Sequence, residues 1–217
     1  MQANLGKQAG FNLLGFVFAG VLAQVLFQST AAGVISLIED REKDFSQAIF
    51  IAPISRYSIV IGKILGETMV SLVQGTGVVV FGLIIGVRLT IPLIIMLLPA
   101  VLAASLLGGA FGVLVLANLG TQRRANQVFP LILFPQLLLA GVFNPIKNLP
   151  PILFVLSRIA PMTYAVDLMR GLFYIGRPEA TSVVLHHPLI NALIILILFA
   201  IFLIIGTYFF VRNERSR

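Results

Sequence analysis

Cysteine is absent from all 217 residues. Disulfides, thiolate metal sites and a cysteine nucleophile are therefore excluded. Charge is scarce: 11% of the residues are Asp, Glu, Lys or Arg, and only 8 are acidic, whereas soluble domains carry about a quarter. No paired-carboxylate site and no nucleophile–base pair stands out. A phosphate-binding loop needs G-x-x-x-x-G-K-[ST] after a strand. The nearest approach, Gly62-Lys63-Ile64, lacks both the hydroxyl and the strand. It reads as a helix start near a membrane interface, with Lys63 snorkelling. There is no low-complexity tail, no separate soluble domain and no internal repeat. The missing inverted repeat weighs against a secondary transporter, since many such folds carry one.

What fills the chain instead is apolar. Hydrophobic residues make up 59%, and the mean hydropathy is +1.03. One ordinary core cannot absorb so much apolar surface, so most of it must face hydrocarbon. The runs are continuous rather than short and alternating, which excludes a β-barrel. The expected class is an all-α, polytopic transmembrane helix bundle, with residues 1–217 as a single domain. The formal net charge of +7 follows from basic loops under the positive-inside rule and not from nucleic-acid binding.

A hydrocarbon core about 30 Å thick takes about 20 helical residues at about 1.5 Å each. Five runs meet that length: about 11–38, 58–87, 91–119, 126–143 and 189–211. The first is too long for a signal-peptide core of about 7–15 residues, so it stays in the mature protein. Alternate connections then separate the basic residues. Arg41, Lys43, Arg56, Lys63, Arg123, Arg124, Arg212, Arg215 and Arg217 fall on one side. Lys7, Arg88, Lys147, Arg158, Arg170 and Arg177 fall on the other. The larger set is assigned to the cytoplasm, which puts the C-terminus inside and the N-terminus outside. An external N-terminus without a signal sequence implies either a missing upstream span or unaided insertion of 11–38.

Between the first two runs, Glu39, Asp40, Glu42 and Asp44 suit a helix N-terminus. Phe45, Ala48, Ile49 and Ala52 recur at three- and four-residue steps and give one apolar face. Pro53 stops the helix. Two readings stand for this segment, about 39–53: an interfacial helix lying on the bilayer, or a docking helix for a cytosolic partner. The connection 144–188 has helix-like apolar spacing, punctuated by Pro150, Pro151 and Pro161. It is expected to form two short helices, re-entrant or lying on the outer surface, with Ala160 held out of the helical region by Pro161.

Asp40-Arg41-Glu42-Lys43, then A-P-I-S-R at 52–56 and G-K-I-L-G at 62–66, resemble the type-2 ABC transporter permease family. So does the segment 129–151, F-P-L-I-L-F-P-Q-L-L-L-A-G-V-F-N-P-I-K-N-L-P-P, with its proline-containing span, F-x-P and L-P. The stretch A-P-M-T-Y-A-V-D-L-M-R at 160–170 is similar to the family's P-x-T-Y-x-x-D-x-x-R. The blocks lie in order over roughly 11–211.

The resemblance implies the membrane half of an ATP-driven exporter. Two permease halves pair with two nucleotide-binding subunits, which bind the ATP and Mg, while this chain holds no cofactor. It implies that 39–53 is a coupling helix docking on the ATPase, with Asp40, Arg41, Glu42, Phe45, Ile49, Pro53 and Arg56 as contact residues. It implies external re-entrant helices carrying Pro161, Tyr164, Asp167 and Arg170. It leans towards a drug, antibiotic, lipid-like or lipid-linked cargo in a cell membrane. The family usually has six spans; five are seen here, and the first is the one lacking. A rigid charged helix rooted between two spans can transmit a tilt. Phe45 and Ile49 would supply its buried anchor.

Polar groups inside the spans have two readings. Gln24 and Gln28 share a face one turn apart, and Gln136 sits in the fourth run. They are either interhelical hydrogen-bonding groups, worth about 0.6–2 kcal/mol each, or the lining of a translocation path. Glu67 is expected to pair with Lys63 at i−4. Asp167 and Arg170, three apart, are placed to pair on one helix face. Gly62/Gly66, Gly82/Gly86 and Gly108/Gly112 are G-x-x-x-G pairs that allow close helix approach. Pro130 and Pro135 are expected to kink their span. His186-His187, with no carboxylate pair beside them, make a poor metal ligand set, and no metal site is expected. Two other classes remain open: a secondary transporter or channel, which would need intramembrane charges forming an ion path, and a non-transporting membrane scaffold.

Overall fold

The computed structural model describes residues 12–42, 55–117, 119 and 121–215. Among these every regular element is helical. The α-helices are α1 (Leu13–Gly33), α2 (Ser36–Glu42), α3 (Arg56–Ile84), α4 (Ile91–Leu116) and α5 (Gln122–Leu139). A 3-10 turn (Ile146–Asn148) leads into α6 (Pro151–Ile159), α7 (Pro161–Phe173), α8 (Ala180–Val183) and α9 (Pro188–Arg215).

Four stretches are long and apolar enough to cross a membrane: Leu13–Glu39, Tyr57–Ile84, Ile91–Leu116 and Ala180–Arg212. They account for the first, second, third and fifth expected runs. The fourth run falls on α5, which starts and ends earlier than 126–143. Its opening Gln122, Arg123 and Arg124, then Asn126 and Gln127, leave about 18 Å of apolar helix at ~1.5 Å per residue. The helix continues through both Pro130 and Pro135.

The core is built around α1, which packs on α3, α4 and α7. Phe16, Ala19, Ala23, Leu26, Phe27 and Ala31 of α1 are fully buried. A helix apolar on every side belongs inside a bundle. The closest approach is to α4: a Cβ on Gly112 would lie 2.6 Å from the Ala31 carbonyl oxygen, and one on Gly108 2.8 Å from Phe27 Cα. One of the expected glycine pairs therefore works within the chain. Gly82 of a second pair makes room for the Phe18 ring, whereas Gly62, Gly66 and Gly86 face open space. The outer faces of α3 and α9 carry exposed Val73, Phe81, Ile84, Leu193, Leu196 and Ile204, as lipid-facing surfaces do.

The connection 144–188 forms two short helices, as its apolar spacing predicts. Ahead of Pro161, Ala160 is extended (φ −74°, ψ 114°), and α6 and α7 meet at 92°. This bent pair is a re-entrant loop or a broken span. Most of α7 is buried, including Met162, Ala165, Val166 and Met169. By contrast α6 exposes Ile152, Val155 and Ile159.

Candidate functional site: the two ends of the bundle

At one end, α1 stops at Gly33 and the chain turns through Val34 and Ile35 into α2. Ser36 Oγ donates to the Gly33 carbonyl at 2.6 Å, closing the turn. The next span begins with Ser55 capping α3 through Ser58 N to Oγ at 3.1 Å. The opening of α5 is brought to α2, where Gln122 Nε2 donates to Glu39 Oε2 at 3.2 Å. Thr121 caps α5 by accepting from Arg124 N at 3.3 Å, and Arg123 and Arg124 are exposed. The start of α5 is thus held beside α2.

Of the expected coupling residues, Asp40, Arg41 and Glu42 lie on α2 and Arg56 opens α3; their side chains lie outside the described residues. Phe45, Ile49 and Pro53 also lie outside them. The expected Lys63–Glu67 pair is present, with Nζ to Oε1 at 3.0 Å. Its second neighbour was not legible from spacing. The Glu67 carboxylate occupies the notch left by Gly33, where any Cβ would overlap it.

Along the bundle, Gln24 Nε2 donates to Gln28 Oε1 at 3.4 Å on half-buried ground. Gln136 is 7% exposed, and its Oε1 has no hydrogen-bond partner among the described residues. The structure brings the first two together and places the third on α5. An apolar cavity of about 340 Å³ lies elsewhere, between α1, α3 and α4, lined by residues such as Leu22, Leu72, Val79 and Leu97. None of the three glutamines lines it.

At the opposite end the polar groups are buried, and Asp167 and Arg170 bind main chain from distant segments. Asp167, 2% exposed, accepts from Leu185 N at 2.8 Å, His186 N at 2.9 Å and Asn191 Nδ2 at 2.7 Å. One carboxylate on α7 thereby fixes the chain entering α9. The His186 ring links further: Nδ1 lies 3.6 Å from Asp167 Oδ2, and Nε2 shares a hydrogen bond with Arg158 of α6. Tyr164 stacks on that ring with centroids 6.3 Å apart, and its hydroxyl donates to the Arg158 carbonyl at 2.7 Å.

Arg170, 1% exposed, does not pair with Asp167. Its Nη2 donates to the carbonyls of Gly141 and Val142 at 2.7 and 2.9 Å. Its guanidinium lies 3.6 Å over the Phe16 ring of α1. Spacing three apart on a helix sets only a common face. The partners that arrive from distant segments decide where each head group turns. Gly141, at φ +68°, gives the chain leaving α5 the left-handed bend that presents these carbonyls. Tyr174 completes the tie to α1 by donating to Asn12 O at 3.0 Å. His186 and Asn191 were missed as members of this cluster; the adjacent histidines were a signal, weighed only for metal.

Residues 2–174 match the family described as ABC-2 type transporter. The chain is also similar to a protein of Cyanophora paradoxa named "Putative transport permease ycf38", with 26% identity over 165 residues. That alignment covers 75% of this chain and 57% of the relative, so the chain spans a little over half of the relative's length.

Proposed function

The chain belongs to the ABC-2 type transporter family, and from that premise we propose that it is the permease of an ATP-driven exporter. Membership makes it a membrane subunit of a transporter, and its apolar helices make it an integral, multi-pass membrane protein. The proposed complex pairs two permease halves, as two copies or as this chain with a homologue, with ATPase subunits that bind ATP and Mg. Cargo, of the drug, antibiotic, lipid-like or lipid-linked kind, leaves the cytoplasm of a cell whose plasma or inner membrane holds the complex. The end carrying α2 and Arg212 faces the cytoplasm, and the Asp167 end faces outside.

The observation that carries this reading is the placement of α2. It continues directly from one span-length helix, and the next begins at Arg56. Glu39 also ties it to the start of α5. A push delivered between residues 39 and 53 therefore reaches three helices of the bundle. Hinges and rigid elements convert such a push into a domain tilt.

The test is co-purification with the ATPase, comparing wild type with the Glu42→Ala, Phe45→Ala double variant. The expected result is loss of both the complex and its ATP turnover in the variant. An unchanged complex and turnover would leave the segment as an interfacial anchor only.

A further inference from the structure

We infer that Gly33, Lys63 and Glu67 form a clamp that sets the spacing of the two helices rooting the 39–53 segment, and so are positioning residues for coupling. This rests on the exporter reading above.

Glu67 lies three turns into α3, about 16 Å from its first residue at ~1.5 Å per residue. An ionised group at membrane depth is costly, about 2.5–3.5 kcal/mol at a span's centre, and such groups usually carry function. Lys63 offsets the charge at 3.0 Å, but a neutral side chain would have served as well for packing alone. The use of the carboxylate lies in what its far oxygen meets. Gly33 is the last residue of α1, and Glu67 fills the space where its side chain would be. The contact sits immediately before the turn into α2.

Beside this contact the same two helices pack differently, against α4. There a Cβ on Gly109 of α4 would sit 2.8 Å from Ile64 Cγ2 and 2.9 Å from Thr30 Cγ2. That apolar layer has no slack, and Ile64 and Thr30 are fully buried. Interiors packed in this way resist continuous deformation. The Gly33–Glu67 contact, by contrast, falls on the last residue of α1 and is made by the end of a flexible side chain. It can yield by rotating one carboxylate, 16% exposed, without opening the apolar layer. The clamp thus holds the roots together at rest and lets them part under load.

The same flexibility keeps the test clean. In Gly33→Ala the carboxylate is evicted, but only a side-chain end must move, so the fold survives. The chain has no cysteine, so spin labels attach only where introduced. Labels at Ala32→Cys and Tyr57→Cys, both exposed positions, report the α1–α3 spacing of the full chain in nanodiscs by dipolar EPR. We expect Gly33→Ala to broaden the distance distribution, and to add nothing when Glu67→Ala is already present, as a coupled pair requires.

In the complex with its ATPase, Gly33→Ala and Glu67→Gln are expected to keep the complex yield. They should lower ATP turnover at least about fivefold, the lower end of ordinary coupling free energies. Identical distributions for wild type and Gly33→Ala would overturn the clamp. Broadened distributions with unchanged turnover would overturn its part in coupling. A wild-type chain that captures no ATPase overturns the exporter reading, and the coupling role with it, whatever the distances show.

Discussion

Asp167 and Glu67 are both carboxylates in the bundle, at opposite ends, and they are held in opposite ways. Asp167 accepts two consecutive main-chain amides and the Asn191 side chain while 2% exposed. Glu67 is paired with a single lysine on its own helix and rests in a glycine notch. Main-chain donors cannot turn away, and a buried unmet donor costs about 1–3 kcal/mol. A lysine and a glutamate one turn apart on a single helix can instead rotate together and leave no main-chain donor unmet. One end is therefore fastened and the other is adjustable. A machine driven from one side needs that difference.

The comparison breaks first at Asp167. Replacing it with Ala strips acceptors from three donors at once, and we expect a loss of about 3 kcal/mol or more, read as thermal unfolding in detergent. A loss below about 1 kcal/mol would mean that water reaches these amides and that the end is not fastened. Next comes Arg170→Met, which removes the buried cation from the Gly141 and Val142 carbonyls and from the Phe16 ring. The expected cost is about 2 kcal/mol or more. Arg170→Lys should recover part of it by charge but not the planar stacking.

His186→Ala sharpens the picture on a smaller scale. It frees Arg158 and should cost about 1 kcal/mol. Its signature is faster amide exchange confined to α6, whose apolar face is already exposed, with α7 unchanged. The smallest effect belongs to the adjustable end: Gln122→Ala, which cuts the half-buried bond to Glu39, should move stability by about 0.5–1.5 kcal/mol at most. ATP turnover in the complex is the more sensitive readout there. A Gln122→Ala loss rivalling that of Asp167→Ala would erase the contrast between the ends.

Much of this architecture was legible in the sequence because it follows from local rules. Apolar runs of membrane length placed the long helices, Pro161 forced Ala160 out of helix, and i,i+4 spacing joined Lys63 to Glu67. What escaped was set by segments far apart in the chain. Asp167 meets residues 18 to 24 positions away, and Arg170 meets carbonyls 28 and 29 positions back, so their local spacing misled. Glycine pairs show the same limit. The motif at 62 and 66 is identical to that at 108 and 112, yet among the described residues only the second has a helix against it. Gly33 belonged to no pattern at all; only the fold brings Glu67 to it.

The α1–α4 seam has a consequence for genetics. Gly108 and Gly112 meet main-chain atoms of Phe27 and Ala31, and no substitution elsewhere trims a carbonyl or a Cα. Lesions at these two glycines should therefore lack second-site suppressors in α1, however large the screen. A lesion at Gly33 meets a side chain, and shortening residue 67 can relieve it. Selection can thus retune the joint beside the coupling segment by paired changes, while the seam at the centre of the bundle is closed to such compensation.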